Sequence, residues 1–511
     1  MKKLKPQGLR LAILLFSFML ASQNMPVYSS TSDLEANIGD QEHLSDSSKS
    51  DILVIAPNPY RTENVSGSFA NSKTFSNFSI LGNSSDEFST EYSAITKKIM
   101  LASIELERFS LNYRRECLRT SKFRQLRYFA AQEAGAAGAL TFEIMAINQF
   151  NIGRNHPLKL STSALRGAFT TSLITSIIAG SGSALELGND FLDALKHKRE
   201  GYDSATAKKY VLAKLDEIDK LLSERENIIA ANKEQPGYKR AELESQILSQ
   251  LRNAFIEEFS AFNIDVRSYA AFRNCFYLFN IATNTLAATA AGVGYRATKQ
   301  PKLNGPTNIL FIITGALAAS SSLISNAASK YVAHHERSSF LSKVNNWQPF
   351  DSAKLSAMQK HLQELSAESS GTLMPSLPAT DRLAIYMQSG ELFRKQMTEE
   401  TAMMSRLNQV ALQSSLLGPV VGGTFMTQGI LGTIGYYKYT NRPRAQINHY
   451  YSGAIVGSVG ASIALIGTAA WLIASLAYEH KLAKEKRLPR HLIAERLDHL
   501  DTLEKTISAL H

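Results

Sequence analysis

Six apolar segments, set in three close pairs, constrain this chain more than any other feature: 128 to 150 with 163 to 187, 276 to 295 with 307 to 330, and 410 to 437 with 448 to 478. A helix rises about 1.5 Å per residue, so runs of about 20 residues match a hydrocarbon core roughly 30 Å thick. Each pair is joined by a short turn that carries Gly, Pro and basic residues. The pattern predicts an all-α polytopic membrane protein, with three tandem transmembrane helical hairpins, six spans, linked by long amphipathic extramembrane helices.

The pairs are spaced like copies of one unit. Boundaries fall near 91–237, 238–378 and 379–511, and each copy opens on a charged amphipathic segment. The second turn runs Gly294, Tyr295, Arg296, then Pro301 and Lys302. The third runs Gly435, Tyr436, Tyr437, Lys438, then Pro443 and Arg444, with the same spacing from base to Pro to base. The first is a contracted form, Gly153, Arg154, Pro157 and Lys159. Gly and Pro in a helical turn are ordinary stop chemistry; the shared spacing of charge is what points to duplication.

Ahead of the copies, Lys2, Lys3, Lys5 and Arg10 run into the apolar stretch 11 to 21. That order is expected of a secretory signal or signal anchor within 1–30. Residues 31–90, rich in Ser, Asn, Asp and Glu, are expected to form a disordered exported tail. With the N-terminus exported, the turn residues Arg154, Lys159, Arg296, Lys299, Lys302, Lys438, Arg442 and Arg444 fall on the cytoplasmic side, as the positive-inside rule asks. One flank opposes it: Arg114, Arg115, Arg119, Lys122, Arg124 and Arg127 crowd the outer end of the first span. The lysine-led signal favours a bacterial inner membrane, with an internal photosynthetic membrane as the alternative.

The apolar segments are rich in Gly, Ala, Ser and Thr, which let helix backbones approach closely in lipid. Gly418 with Gly422 and Gly453 with Gly457 are GxxxG pairs, expected to serve packing within the chain. Between the hairpins, Val211, Leu215, Ile218, Leu222 and Ile229 form one stripe, with Arg225 as a skipped position. Ile493, Leu497, Leu500, Leu503, Ile507 and Leu510 form another at the C-terminus. Such stripes bury against partner helices, of this chain or of another.

Chemistry is sparse. The net charge of +10 lies beside apolar runs and not on a basic, aromatic-interleaved face, so a bilayer and not nucleic acid is the expected partner. Two cysteines, Cys117 and Cys275, exclude a four-thiolate metal site. GVGYRA at 292–297 ends a helix where a dinucleotide loop would begin one. His334, His335 and Glu336, and His491, Glu495 and His499, have spacings that a solvated helix face explains, so neither a metal nor a cofactor is expected.

The strongest site candidates are polar residues within the spans. Gln132, Asn280 and Gln413 recur at nearly one depth in the three copies and suit hydrogen bonds between helices. Glu133 and Glu143 are ionisable groups that lipid penalises by a few kcal/mol unless they are paired or wetted. The expected function is non-enzymatic: a structural or interaction scaffold whose outer helices bind a protein partner or self-associate. A small-solute or ion transporter or channel built from the three duplicated hairpins is the alternative, favoured by the duplication, the small-residue helices and the intramembrane Glu, Asn and Gln.

Overall fold

A computed structural model describes residues 87–118, 122–156, 159–234, 238–369 and 417–509. The proposed signal, nearly all of the proposed tail, and Gln413 lie outside the described residues. The chain is helical through these segments apart from short turns and the connection at 342–351. The helices are α1 (Glu87–Cys117), α2 (Lys122–Asn155), α3 (Thr162–Glu200), α4 (Ser204–Ala231), α5 (Tyr238–Ala297), α6 (Asn304–Leu341), α7 (Ser352–Ser369), α8 (417–438), α9 (Pro443–Lys484) and α10 (Pro489–Ala509).

Their ends follow from local chemistry. Ser161 caps α3 by accepting from the Ala164 amide, and Gly201, in the left-handed region at φ 79°, ends it. Asp203 then caps α4 through the amides of Ala205 and Thr206. Pro443 and Pro489 occupy first helical positions, where a missing N–H costs nothing. Nothing comparable interrupts α5, whose 60 residues make a rod of about 90 Å. The change from charged to apolar sequence near residue 270 leaves its backbone unbroken.

Two regions form along these rods. In the first, α1, α4, α7, α10 and the N-terminal half of α5 share one apolar core, which includes Leu106, Leu111, Val211, Ile218, Ile247, Phe259, Leu362, Ile493 and Ile507. Both stripes seen in the sequence face inward here. Val211, Leu215, Ile218, Leu222 and Ile229 are buried, as are Ile493, Leu500, Leu503 and Ile507; Leu497 packs at the margin and Leu510 lies outside the described residues.

In the second region, α2, α3, the C-terminal half of α5, α6, α8 and α9 follow one another in chain order around a ring, each packed along the next, with further side-chain contacts across the centre. Gly135 and Gly138 of α2 pack on Ala179 and Thr175 of α3. Gly294 of α5 accommodates Phe169 of α3, α5 packs along α6, and Gly422 of α8 meets Gly315 and Ala319 of α6 backbone to backbone. Gly453, Gly457 and Gly460 of α9 pack on Gln428 and Thr424 of α8, and α9 returns to α2. Phe142, Ala168, Ala290 and Phe311 fill the centre, with Phe169 packed on them. Both GxxxG pairs therefore pack within the chain.

Windows within Thr162–Ala231, Pro301–Leu341 and Pro443–Ser508 are long and apolar enough to cross a membrane, with mean hydropathies of 1.3, 1.7 and 1.9. Among the described residues only these three reach that level, where the sequence pattern suggests six. In the other three ring helices, α2 carries Gln132, Glu133 and Glu143, α5 carries Arg273, Asn280 and Asn284, and part of 410–437 is outside the described residues.

Candidate functional site

The polar candidates of the ring reach their neighbours. Gln132 donates from Nε2 to the Ala179 carbonyl at 3.0 Å and to Ser183 Oγ at 3.1 Å, joining α2 to α3. Asn280 on α5 donates to the Tyr128 hydroxyl at 2.9 Å, one turn from Gln132 on α2. The two hydrogen bonds lie one turn apart along α2. Glu133 accepts from Thr468 Oγ1 on α9. Glu143 differs from all of these. It is fully buried, neither carboxyl oxygen receives a hydrogen bond of good geometry, and its one polar neighbour is the Gln428 amide.

Gln428 and Gly457 complete the surroundings of Glu143. A Cβ placed on Gly457 would lie 2.3 Å from Gln428 Oε1 and 2.6 Å from Glu143 Oε1, so both oxygens face one bare Cα. Gln428 Oε1 is also buried without a partner. Neither Gln428 nor Gly457 stands out in sequence, because a single Gln or Gly in a small-residue helix has no spacing to mark it.

The basic turns gather at one end of the ring. Gly153 approaches Ile447, Arg166 donates to Thr298 at 2.9 Å, and the Tyr436 hydroxyl donates to the Lys302 carbonyl at 3.3 Å, linking the three turns. Arg154, Lys159, Arg296, Lys299, Lys302, Lys438, Arg442 and Arg444 are all exposed there. Tyrosines lie among them: Arg154 sits 4.4 Å above the Tyr451 ring and Lys438 5.7 Å from that of Tyr439. Basic residues mixed with tyrosine are the composition of a membrane interface.

At the opposite end is a charge cluster that the sequence does not announce. Helix α3 continues past its apolar stretch, placing Glu186, Asp190 and Asp193 along one side at helical spacing. Arg124 pairs with Glu186 at 3.0 Å, with Asp190 at 2.8 Å and with Asp193. Arg127 pairs with Glu186, and Arg273 of α5 with Asp190 at 2.8 Å. Arg114 pairs with Glu258 at 2.8 Å. Three of the arginines that seemed to oppose the charge rule are thus matched by carboxylates.

The helical layer has its own buried charges. Glu258 of α5 lies between Arg114 of α1 and Arg496 of α10, the latter bidentate at 2.7 and 3.1 Å, and Arg496 reaches Glu107 at 2.6 Å. Burial works to raise the Glu258 carboxyl, and the two guanidinium charges more than reverse this, holding it at about 2. Arg225 is no gap in its stripe. It is fully buried, bonded to Thr96 at 3.0 Å, the Ala241 carbonyl at 3.2 Å and Glu244 at 3.3 Å, with its guanidinium 4.3 Å over the Tyr92 ring.

The histidine groups do not converge. Glu336 is taken up by Lys208 and Arg267, His335 stacks on Tyr331, and no cluster of three or more His, Cys, Asp or Glu side chains is placed to hold a metal among the described residues. Burial pushes the Cys117 thiol up to about 11, which suits a packed thiol and not a nucleophile. No known family matches the chain, and neither a curated protein nor a solved structure matches it.

Proposed function

We propose that this chain is a non-enzymatic integral membrane protein that crosses the bilayer six times as three hairpins and holds a rigid helical layer on the exported side, where it serves as a structural or interaction scaffold. The supporting observation is the distribution of exposed apolar surface. Among the described residues, every large hydrophobic side chain that is exposed belongs to the ring helices, from Phe123, Ile144 and Ile177 to Ile455 and Ile473, and none to α1, α4, α7, α10 or the part of α5 in the layer. Contiguous exposed apolar surface of that extent demands a nonaqueous neighbour. Lipid meets that demand all round the ring.

The same distribution favours a scaffold over a channel. The ring centre is packed with Phe142, Phe169 and Phe311, whose rings lie 5.2 and 6.1 Å from Phe142. The layer spends its apolar stripes on its own core, so a partner or a second copy would meet its polar faces. The ring's chain-order arrangement supports triplication of one hairpin unit, and the exposed basic turns support their cytoplasmic placement. A bacterial inner membrane is the proposed site, with an internal photosynthetic membrane as the alternative.

Crosslinking in intact membranes is expected to trap a defined assembly through the polar faces of the layer, while purified chain in proteoliposomes shows no flux above empty vesicles. Selective flux from a chain that forms no assembly would overturn the scaffold reading. A variant ties the assembly to the layer. Leu500→Asp with Leu503→Asp places two carboxylates in the shared core, at several kcal/mol, and is expected to expose α10 to protease and weaken the assembly while the ring stays inserted.

A further inference from the structure

The ring holds a buried carboxyl with no counter-charge: Glu143 has only the Gln428 amide as a polar neighbour, and its Oε1 and Gln428 Oε1 meet across the bare Cα of Gly457. Acceptors left so in an apolar interior are costly, and a carboxylate without a counter-charge costs far more. The surroundings offer no such charge. No Asp, Glu, Lys or Arg occurs in 167–185 of α3, 417–437 of α8 or 450–478 of α9, and the same is true of 274–295 in α5 and 303–329 in α6. On α2 itself Glu133 is engaged by Thr468. The other titratable groups of α9 near this level are His449, whose Nδ1 meets the Ala445 carbonyl, Tyr450, which accepts from Gln446, and Tyr451, whose ring lies under Arg154; all lie about two turns from Gly457.

We propose that Glu143, Gln428 and Gly457 form an intramembrane proton site, in which the Glu143 carboxyl holds a proton and donates it to Gln428 Oε1. The proton removes the uncompensated charge and gives Gln428 Oε1, which is buried without a partner, a donor. Three oxygens are fewer than calcium or magnesium ions take, so the site fits a proton and not a divalent cation. Gly457 matters because any side chain there would stand between the two oxygens. The site ties α2, α8 and α9 together, so loss of the proton would act where the third hairpin closes on the first. This inference concerns what the ring binds and does not depend on the layer serving as a scaffold.

The test is infrared spectroscopy of the full chain in phosphatidylcholine nanodiscs. At about pH 7, where an exposed glutamate with its ordinary value of about 4.3 is ionised, the wild type is expected to show a protonated carboxylic C=O band that Glu143→Gln removes entirely and Gln428→Leu shifts. An unchanged spectrum in Glu143→Gln would mean an ionised carboxylate and would overturn the proposal. Should that variant not accumulate, dicyclohexylcarbodiimide, which reacts with protonated carboxyls in apolar surroundings, gives an independent reading on the wild type. An adduct on Glu143 at neutral pH that fades as pH rises supports the site; a Glu143 left unmodified under conditions that modify Glu133 contradicts it.

Discussion

Glu258→Gln is expected to destabilise the helical layer by about 3–5 kcal/mol, because it leaves Arg114 and Arg496 buried without the carboxylate they share. The three residues come from α1, α5 and α10, so the loss falls on the joints of the layer. Chemical unfolding followed by tryptic digestion should show the variant releasing α10 first. Arg108→Ala is the reference. It removes pairs with Asp501 and Glu504 that join the same helices on the surface, and about 0–1 kcal/mol is expected. The pH dependence has a definite sign. Glu258 stands at about 2 in the fold against about 4.3 unfolded, so its contribution is complete above about pH 5 and is lost as pH falls toward 2. The wild type's advantage over Glu258→Gln should shrink across that window. A constant difference from neutral pH to pH 2 would show that the ionised carboxylate is not what holds the three helices.

The second large effect belongs to the ring. A Cβ on Gly422 would lie 2.3 Å from the Ala319 amide nitrogen and 2.5 Å from the Gly315 carbonyl oxygen, both backbone atoms that no rotamer change can move. Gly422→Ala must therefore push α6 and α8 apart, at about 1–3 kcal/mol or more. Gly423, the next residue, has open space around it. Gly423→Ala should be neutral or stabilising by up to about 1 kcal/mol, since Ala is the better helix former. Thermal unfolding in detergent separates the two. Equal stabilities would mean that α6 and α8 do not meet backbone to backbone.

What the sequence revealed and what it concealed divide along the range of the interactions. Helix existence was legible because apolar length and the Gly and Pro of the turns act locally. The inward stripes on α4 and α10 were legible for the same reason. The charge pairs were not, because Arg496 lies 238 residues from Glu258 and 389 from Glu107, and no local pattern encodes that separation. Arg225 looked like a gap because its compensation comes from Tyr92, Thr96 and Glu244, on two other helices. The acidic row of Glu186, Asp190 and Asp193 has ordinary helical spacing, and it was overlooked because it begins where the apolar run ends. Glu143 was visible as an ionisable residue in an apolar stretch. Its isolation was not, since that depends on what α8 and α9 bring against it.

The central claim, a ring that crosses the bilayer as three hairpins beneath a one-sided layer, is tested most directly by cysteine accessibility. In a background with Cys117 and Cys275 replaced by Ser, single cysteines at Asn155, Gln300 and Asn441 probe the three turns, and one at Ser223, exposed on α4, probes the layer. In intact cells an impermeant maleimide added from outside should label Ser223→Cys and leave all three turn cysteines unlabelled until the membrane is permeabilised. Labelling of the turns with Ser223→Cys protected would reverse the orientation, and labelling that divides the three turns between the two sides would contradict the three-hairpin architecture itself.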